Sequence, residues 1–353
     1  MAVRGATVNP TSRFSALEIE PDPEFFQGAF TEDAGVQPAT RFWDDASQTI
    51  ITKNTSPDIP FTHSLNVYRG CEHGCAYCYA RPTHEYLGFS AGVDFERHIV
   101  VKREAPELLR RALTRPSWKP QVLAMSGVTD CYQPAERHLR LTRACLEVLL
   151  EFRNPVEMIT KNALVLRDLD LLQGLAQYGC VQVHISISSL DPELVRRMEP
   201  RASQPARKLK AIARLVEAGI PVMALLAPII PGLNDHEIPA ILQAVGEAGV
   251  QAAGCIPLRL PGAVSDVFQA WLHEHFPDRA GKVLNKIRSL RGGQLNDSRF
   301  HSRFQGEGEQ AAIIEHLFKV GVKKAGIPQV WKPFNMEAFR RPAPSGPEQL
   351  ELF

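Results

Sequence analysis

No stretch of this sequence is apolar enough to cross a bilayer. The longest apolar run, IPVMALLAPIIPGL, is interrupted by three prolines and is too short. The opening, MAVRGATVNP, lacks the apolar core of a secretory leader. Together these absences predict a cytoplasmic protein with no membrane contact. An excess of one charge sign is lacking as well: 40 Lys and Arg stand against 39 Asp and Glu, a formal net charge of +1. No global field therefore draws the chain to nucleic acid or to a membrane surface. The asymmetry is local, acidic across 18–45 and basic across 279–303. No unit recurs at a fixed period, which excludes a solenoid or propeller. Cysteines are few and odd in number, seven in all, and three of them crowd into one short segment. In a reducing compartment that favours metal or redox chemistry over disulfides.

What is present is a β/α rhythm. At 353 residues and 44% hydrophobic the chain can bury a sizeable core. From residue 62, short β-branched runs alternate with amphipathic stretches. The strand candidates are SLNVY, HIVVK, QVLAMS, VEMIT, VQVHISIS, PVMALLA and AAGCIPL. Several of the helical stretches end in Gly just before the next strand. Repeated β-then-α order implies parallel strands joined by right-handed crossovers, six or seven units of an open or complete barrel. The fold class expected is α/β, a partial (β/α)6 TIM-type barrel. Four regions follow: an N-terminal arm over 1–61, with a short hairpin around QTIITK; the barrel over 62–262; a helical, basic C-terminal extension over 263–339; and a tail over 340–353 rich in Pro, Ser and Gly.

The segment RGCEHGCAYCYA places Cys71, Cys75 and Cys78 in C-x3-C-x2-C spacing directly after the first strand. In a parallel barrel that loop opens at the C-terminal face, where active sites sit. Three thiolates from one loop can hold three irons of a 4Fe-4S cluster and leave the fourth open to a small molecule. A Cys3His zinc site using His73 or His84 is the competing reading of the same spacing.

With Tyr77 as the aromatic before the third cysteine, the loop resembles the signature of the radical S-adenosylmethionine (SAM) superfamily, and the likeness extends over about residues 62–262. The resemblance implies a 4Fe-4S cluster on Cys71, Cys75 and Cys78. It implies SAM bound to the open iron and an external electron donor. Reductive cleavage of SAM then gives a 5′-deoxyadenosyl radical that abstracts hydrogen from a substrate. The barrel top must supply polar contacts to SAM, and strand ends are the places to look. Asp130, ending MSGVTD, is a candidate for the SAM ammonium or ribose, or alternatively a helix N-cap. Lys161, ending MITK, is a candidate carboxylate partner. Ser186 and Ser188 share a strand face with His184, and that face points into the lumen if the intervening Ile residues pack outward on helices. Glu199 and Arg201 follow in MEPRAS, and Arg201 is a candidate clamp for a carboxylate or phosphate. APIIPGLND resembles the superfamily's late strand-end motif, which assigns Ile230 and Gly232 to adenine packing.

Within the superfamily the chain resembles the spore photoproduct lyase branch, through CAYCY, the strand-end TD and TK pairs, and the Glu-Pro…Ser…Arg…Leu stretch. That branch acts on a thymine dimer in DNA and carries a hydrogen-returning cysteine three residues ahead of the corresponding Asp. Here that position is Gly127, so the resemblance does not extend to the lyase reaction itself. Cys131 and Tyr132, just beyond Asp130, are the candidate hydrogen donors; a buried core thiol is the alternative for Cys131. Arg291, Arg299, Phe300, Arg303 and Phe304 interleave charge and aromatics as a DNA-contacting segment does, or form an ordinary basic surface. The terminal QLELF resembles the peptide by which bacterial repair proteins dock on the DNA sliding clamp, through Gln349, Leu350, Leu352 and Phe353. Two further readings are a radical SAM enzyme for a protein or small molecule and a non-catalytic zinc or iron–sulfur protein.

Overall fold

A computed structural model describes residues 4–14 and 39–342. In chain order the strands are β1 (Arg41–Asp44), β2 (Ile51–Lys53), β3 (His63–Leu65), β4 (Tyr68–Arg69), β5 (His98–Val101), β6 (Leu123–Met125), β7 (Val156–Thr160), β8 (Val181–Ser186), β9 (Val222–Ile229) and β10 (Ala252–Pro257). Six of them, β3 and β6 to β10, run parallel in one curved sheet, β2 is its antiparallel edge, and helices cross over between successive strands. This is the partial (β/α)6 barrel that the rhythm of the sequence implies.

One strand candidate goes elsewhere. HIVVK forms β5 outside the barrel, paired parallel with β1 and antiparallel with β4. The arm expected over 1–61 is therefore tied in where it is described. β1 and β2 each join a sheet, and β2 pairs with β3.

Alternation along the strands separates two faces. Residues in register on parallel strands share a face. Leu65, Met125, Met158, Val183 and Val222 form one such row, and all belong to the main core under the helices. The opposite face, in register through Ser64, Ala124, Glu157 and Gln182, then His184, Met223 and Ala252, stays out of that core and lines the lumen. Ile185 and Ile187 do pack outward, so His184 and Ser186 face inward.

The lumen is closed at its N-terminal end. After the helix Gly308–Lys324 the chain runs beneath the barrel. There Val330 N–H donates to Gln251 O at 3.1 Å, and the Trp331 ring lies 6.1 Å from that of His184. The other end is open at Ile159, Lys161, Leu225, Ala227, Gly254 and Ile256, all partly exposed at the ends of β7, β9 and β10. A second core joins the helices Val264–His275 and Pro277–Leu290 to Cys75, Ala76 and Tyr77, so the C-terminal extension walls one side of the cysteine loop. Trp271 is fully buried at its centre and donates its indole N–H to Arg197 O at 2.9 Å.

Two buried histidines set a pH dependence. Burial pushes His84 down to about 4, and burial does the same to His184. Both ring nitrogens of His84 and Nε2 of His184 lack hydrogen-bond partners. In the unfolded chain each titrates near 6.5. The stability they confer is thus fully present above about pH 6.5 and is lost as pH falls toward 4, at up to about 3 kcal/mol per histidine. The urea midpoint is expected to drop clearly between pH 7.5 and pH 5; a flat midpoint contradicts this.

Candidate active site

The cysteine loop takes its shape from two left-handed glycines. Gly70 has φ +79°, and a Cβ there would lie 2.8 Å from His98 O; Gly74 has φ +69°, with Glu96 Oε2 at 2.7 Å from that point. Cys71 N–H donates to Phe95 O at 2.9 Å, and Ala76 N–H donates to Met198 O at 3.2 Å. Beneath the loop lies an ion pair that sequence reasoning missed. Arg81 and Glu96 are both fully buried and meet at 2.5 Å. Arg81 also donates to Cys75 O from Nε at 3.0 Å and from a terminal nitrogen at 2.8 Å. Glu96 accepts the N–H groups of Gly5 at 2.9 Å and Ala6 at 2.7 Å, which lays the N-terminal segment directly over Gly74. The carboxylate thus fastens both the loop and the chain that covers it.

Cys71 and Cys75 are buried and Cys78 is half-buried; none forms a disulfide. Burial pushes all three thiols up, reinforced by the charge of Asp130 at Cys71 and of Glu199 at Cys75. Such thiols ionise only against a bound cation. Among the described residues no three His, Cys, Asp or Glu side chains converge on a point that one metal ion could occupy. A cubane cluster takes one thiolate at each of three iron corners, and three thiols from one loop fit that donor set. His73 is not a fourth ligand. Its Nδ1 lies 3.3 Å from Asp130 Oδ2 and its Nε2 lies 3.1 Å from Asn162 Nδ2. His84 is stacked on Phe89 at 5.1 Å, away from any such convergence.

Beside the loop sits a buried charge cluster on Glu199. Its carboxylate accepts from the Tyr77 hydroxyl, from Ser188 Oγ at 2.6 Å and from Lys208 Nζ at 2.8 Å, and Lys161 Nζ lies 3.3 Å away. Burial alone would raise Glu199. The ammonium groups of Lys161 and Lys208 overcome that and hold it well below the usual carboxylate range. Lys161 also donates to Ala227 O at 2.9 Å and lies 5.4 Å above the Tyr77 ring. Lys208 had a signal in the sequence: it occupies the apolar stripe of its helix with Ala211, Ile212 and Leu215. A lysine in that phase announces a buried acid.

The structure sorts the predicted residues into three groups. Cys71, Cys75, Cys78, Tyr77 and Lys161 are brought together, and Ser186 faces the lumen. Asp130, Glu199, Ser188 and Arg201 support that group and are already engaged. Asp130 accepts from Thr160 Oγ1 at 2.7 Å, Lys161 N at 2.8 Å and Tyr132 N at 2.8 Å. It does not cap the next helix, whose N-cap is Ala135. Arg201 pairs with Glu72 at 2.9 Å, with one terminal nitrogen buried and unpartnered. The third group is corrected. Cys131 and Tyr132 sit in the main core, and Tyr132 directs its hydroxyl to Asp168 at 3.1 Å, so neither offers hydrogen to the lumen. Ile230 is fully buried in the second core and presents no surface to adenine, while Gly232 is partly exposed.

In the basic segment only Arg291 is corrected. Arg291 is buried, with its guanidinium on the carbonyls of Leu258 at 2.6 Å and Arg303 at 3.0 Å. Arg299 pairs with Asp297 at 2.9 Å and Glu307 at 2.7 Å, and Arg303 with Asp58 at 2.6 Å. These groups hold the segment to itself and to residues 56–58, and Arg291 cannot reach a phosphate. Phe300 stays exposed. The QLELF segment lies outside the described residues.

Residues 65–245 match the family described as the Radical SAM superfamily. The chain belongs to this superfamily. A Mycobacterium tuberculosis protein, itself uncharacterised, is 36% identical over 234 residues, which cover 66% of this chain and 68% of that one. An uncharacterised Methanocaldococcus jannaschii protein is 31% identical over 173 residues, 49% of this chain and 62% of that one. Among solved structures, spore photoproduct lyase in complex with a dinucleoside spore photoproduct superposes with a TM-score of 0.58 at 15% identity, covering 81% of this chain and 80% of that chain. A variant of it with bound AdoMet and dinucleoside spore photoproduct gives 0.57 at 14% identity, covering 82% of each chain. The protein is therefore a radical SAM enzyme with the partial barrel of that fold, and its cofactors are the 4Fe-4S cluster and SAM of the superfamily. It needs an external electron donor, as radical SAM enzymes do. Among the described residues no helix is long and apolar enough to cross a membrane.

Proposed function

We propose that this radical SAM enzyme binds its cluster through Cys71, Cys75 and Cys78 and acts on DNA, in repair or base modification. The observation that carries the reading is the open mouth of the lumen. Tyr79, one residue past Cys78, is half exposed and donates its hydroxyl to Gly127 O at 2.8 Å. Phe61 closes on Gly127 from the other side, and Phe300 is exposed on the neighbouring segment. Aromatic faces around an open mouth suit a base lifted out of its strand. The likeness to a lyase whose solved complex holds a dinucleoside supports the same substrate class. Clamp docking through Gln349, Leu350, Leu352 and Phe353 rests on their pattern alone and belongs with this reading.

When bound, the cluster and SAM supply one-electron cleavage and a hydrogen-abstracting adenosyl radical. This chain's own residues shape the place where that happens. Lys161 and Ser186 are the polar groups on the lumen face beside the loop, suited to the carboxylate and hydroxyl groups of SAM. The Arg81–Glu96 pair holds the loop, and the helices around Trp271 keep water from its flank.

With Gly127 at the lyase's thiol position and Cys131 buried, Tyr79 is the hydrogen-bearing side chain at the mouth. Tyr79→Phe keeps the ring and removes the O–H. In the unaltered chain that O–H gives a hydrogen atom to the product radical, and the phenoxyl radical so left takes an electron from the external donor and a proton from water. Without it, product formation is expected to fall while SAM cleavage continues. The ratio of 5′-deoxyadenosine to product measures this; an unchanged ratio removes Tyr79 from the reaction. The reading itself is tested by anaerobic turnover with deuterated DNA. Deuterium in 5′-deoxyadenosine supports it. No transfer from DNA, with transfer from a deuterated protein or small molecule, overturns it.

A further inference from the structure

Among the described residues, Arg259 at the mouth of the lumen has no ion-pair partner. Arg259 follows β10, at the C-terminal end of the last barrel strand. Its guanidinium lies 4.4 Å from the centroid of the Phe304 ring, a cation–π contact. Its Nε is buried and has no hydrogen-bond partner. Arg291 Nε and one terminal nitrogen of Arg201 are unpartnered too, but each of those head groups has an acceptor elsewhere. Lys161 has Glu199, Arg201 has Glu72, Arg303 has Asp58, and Arg291 has backbone carbonyls. Asp58 lies within electrostatic reach of Arg259, but its carboxylate is committed to Arg303 and to the His301 N–H. Burial lowers the pKa of Arg259, and the charge of Arg303 lowers it further. A half-buried guanidinium beside a second guanidinium, with no acceptor of its own, is an anion site by charge and by unsatisfied hydrogen-bonding capacity.

Its surroundings narrow the anion. Leu258 and Leu260, on either side of Arg259, pack in the second core with Cys75, Ala76 and Tyr77, so Arg259 follows the chain alongside the cluster loop. Phe304 lies beneath it, and Phe300 is more than half exposed, with the Arg303 guanidinium 5.0 Å from its centroid. A forked cation on an aromatic shelf accepts an anion joined to a planar ring. We infer that Arg259, set on Phe304, is the subsite that takes a backbone phosphate of a nucleic-acid substrate whose base stacks at the mouth. This rests on the DNA-directed reading above and assigns a contact that Arg291, Arg299 and Arg303, each engaged within the chain, are less free to make.

The test is fluorescence anisotropy with a labelled, short single-stranded thymidine oligonucleotide and the cluster-loaded full chain, read across a salt series. Arg259→Gln is expected to weaken binding roughly tenfold or more, and to flatten the slope of log affinity against log salt by about 0.7, the share of one phosphate contact on a single strand. Arg259→Lys is expected to keep the slope and lose part of the affinity, because an ammonium keeps the charge without the fork. Arg214→Gln, which removes a partner of Glu217 on an exposed helix face, is expected to bind as the unaltered chain does. Equal affinity and slope for Arg259→Gln overturn the subsite and leave the DNA reading standing. Weakened SAM binding with intact oligonucleotide binding also overturns it, since the anion would then be the SAM carboxylate. No oligonucleotide binding by the unaltered chain overturns both. Where the Gln variant fails to load its cluster, the Lys variant decides: a lowered affinity at a retained slope supports the subsite, and affinity and slope both equal to those of the unaltered chain overturn it.

Discussion

Replacing Cys75 by alanine is expected to abolish reductive SAM cleavage and the iron bound per chain. Cys75 is the middle thiol of the loop and its backbone carbonyl is the anchor for Arg81. Its burial keeps the thiol protonated until a cation binds, so the loop is organised for a metal cluster and has little other use for three thiols. With two thiolates left, a cubane loses one of its three protein corners. Iron analysis, the brown absorbance of the reconstituted protein and 5′-deoxyadenosine release should fall together to background. Cys255→Ala is the control, because that thiol lies on β10 beside the main core and away from the loop. If Cys75→Ala retains iron and cleavage, the assignment of the loop is wrong. Stoichiometric zinc in the unaltered protein would sink it equally.

The second large effect is expected at Glu199. Glu199→Gln removes the charge that Lys161 and Lys208 share, inside a site where Lys208 and Glu199 are both fully buried. Losing one partner of a buried pair leaves the other desolvated and uncompensated, at a cost of about 3–5 kcal/mol. A second consequence is local. Lys161 and Tyr77 are both positioned by this carboxylate, so the polar wall beside the cluster loop loses its geometry. SAM cleavage should therefore fall along with stability. Glu199→Leu combined with Lys208→Met separates the two. It removes the charges together, so much of the stability is expected to return, while SAM cleavage stays low because Lys161 still lacks its anchor. Thermal melts and cleavage rates on the two variants read this out. Recovery of both properties in the double variant would reduce Glu199 to a purely structural role.

The candidate site was legible in part, and the division follows chemistry. Cys71, Cys75 and Cys78 carry their meaning in spacing within one loop, which needs no knowledge of the fold. Ser186 was legible because strand alternation tells which side chains point inward, and Lys161 because it stands at the end of a core strand. Glu199, Asp130 and Ser188 were recognised as site residues, but their role differs. They are polar groups on loops and at a helix end whose partners are other protein groups, and only the partners decide whether a ligand can use them. Cys131 and Tyr132 failed as hydrogen donors for a related reason. Their distance from Asp130 along the chain is short, yet the loop turns them outward into the helix-side core.

The sequence by itself determined the β/α order, the parallel barrel, the inward phase of HISIS and the loop that gathers three thiols. All of these are local periodicities or spacings. Only the tertiary structure decided that β5 leaves the barrel for a small sheet with β1. It also decided that Arg81 and Glu96 clamp the loop with the N-terminal segment, and that Lys208 answers Glu199. The same holds at the mouth, where Arg259 meets Phe304 while every neighbouring arginine finds an acceptor. Those outcomes depend on which residues from distant parts of the chain share a desolvated space. A period of 2 or 3.6 carries no information about that, because the pairing is set by how the crossovers and the C-terminal helices pack once the barrel has formed.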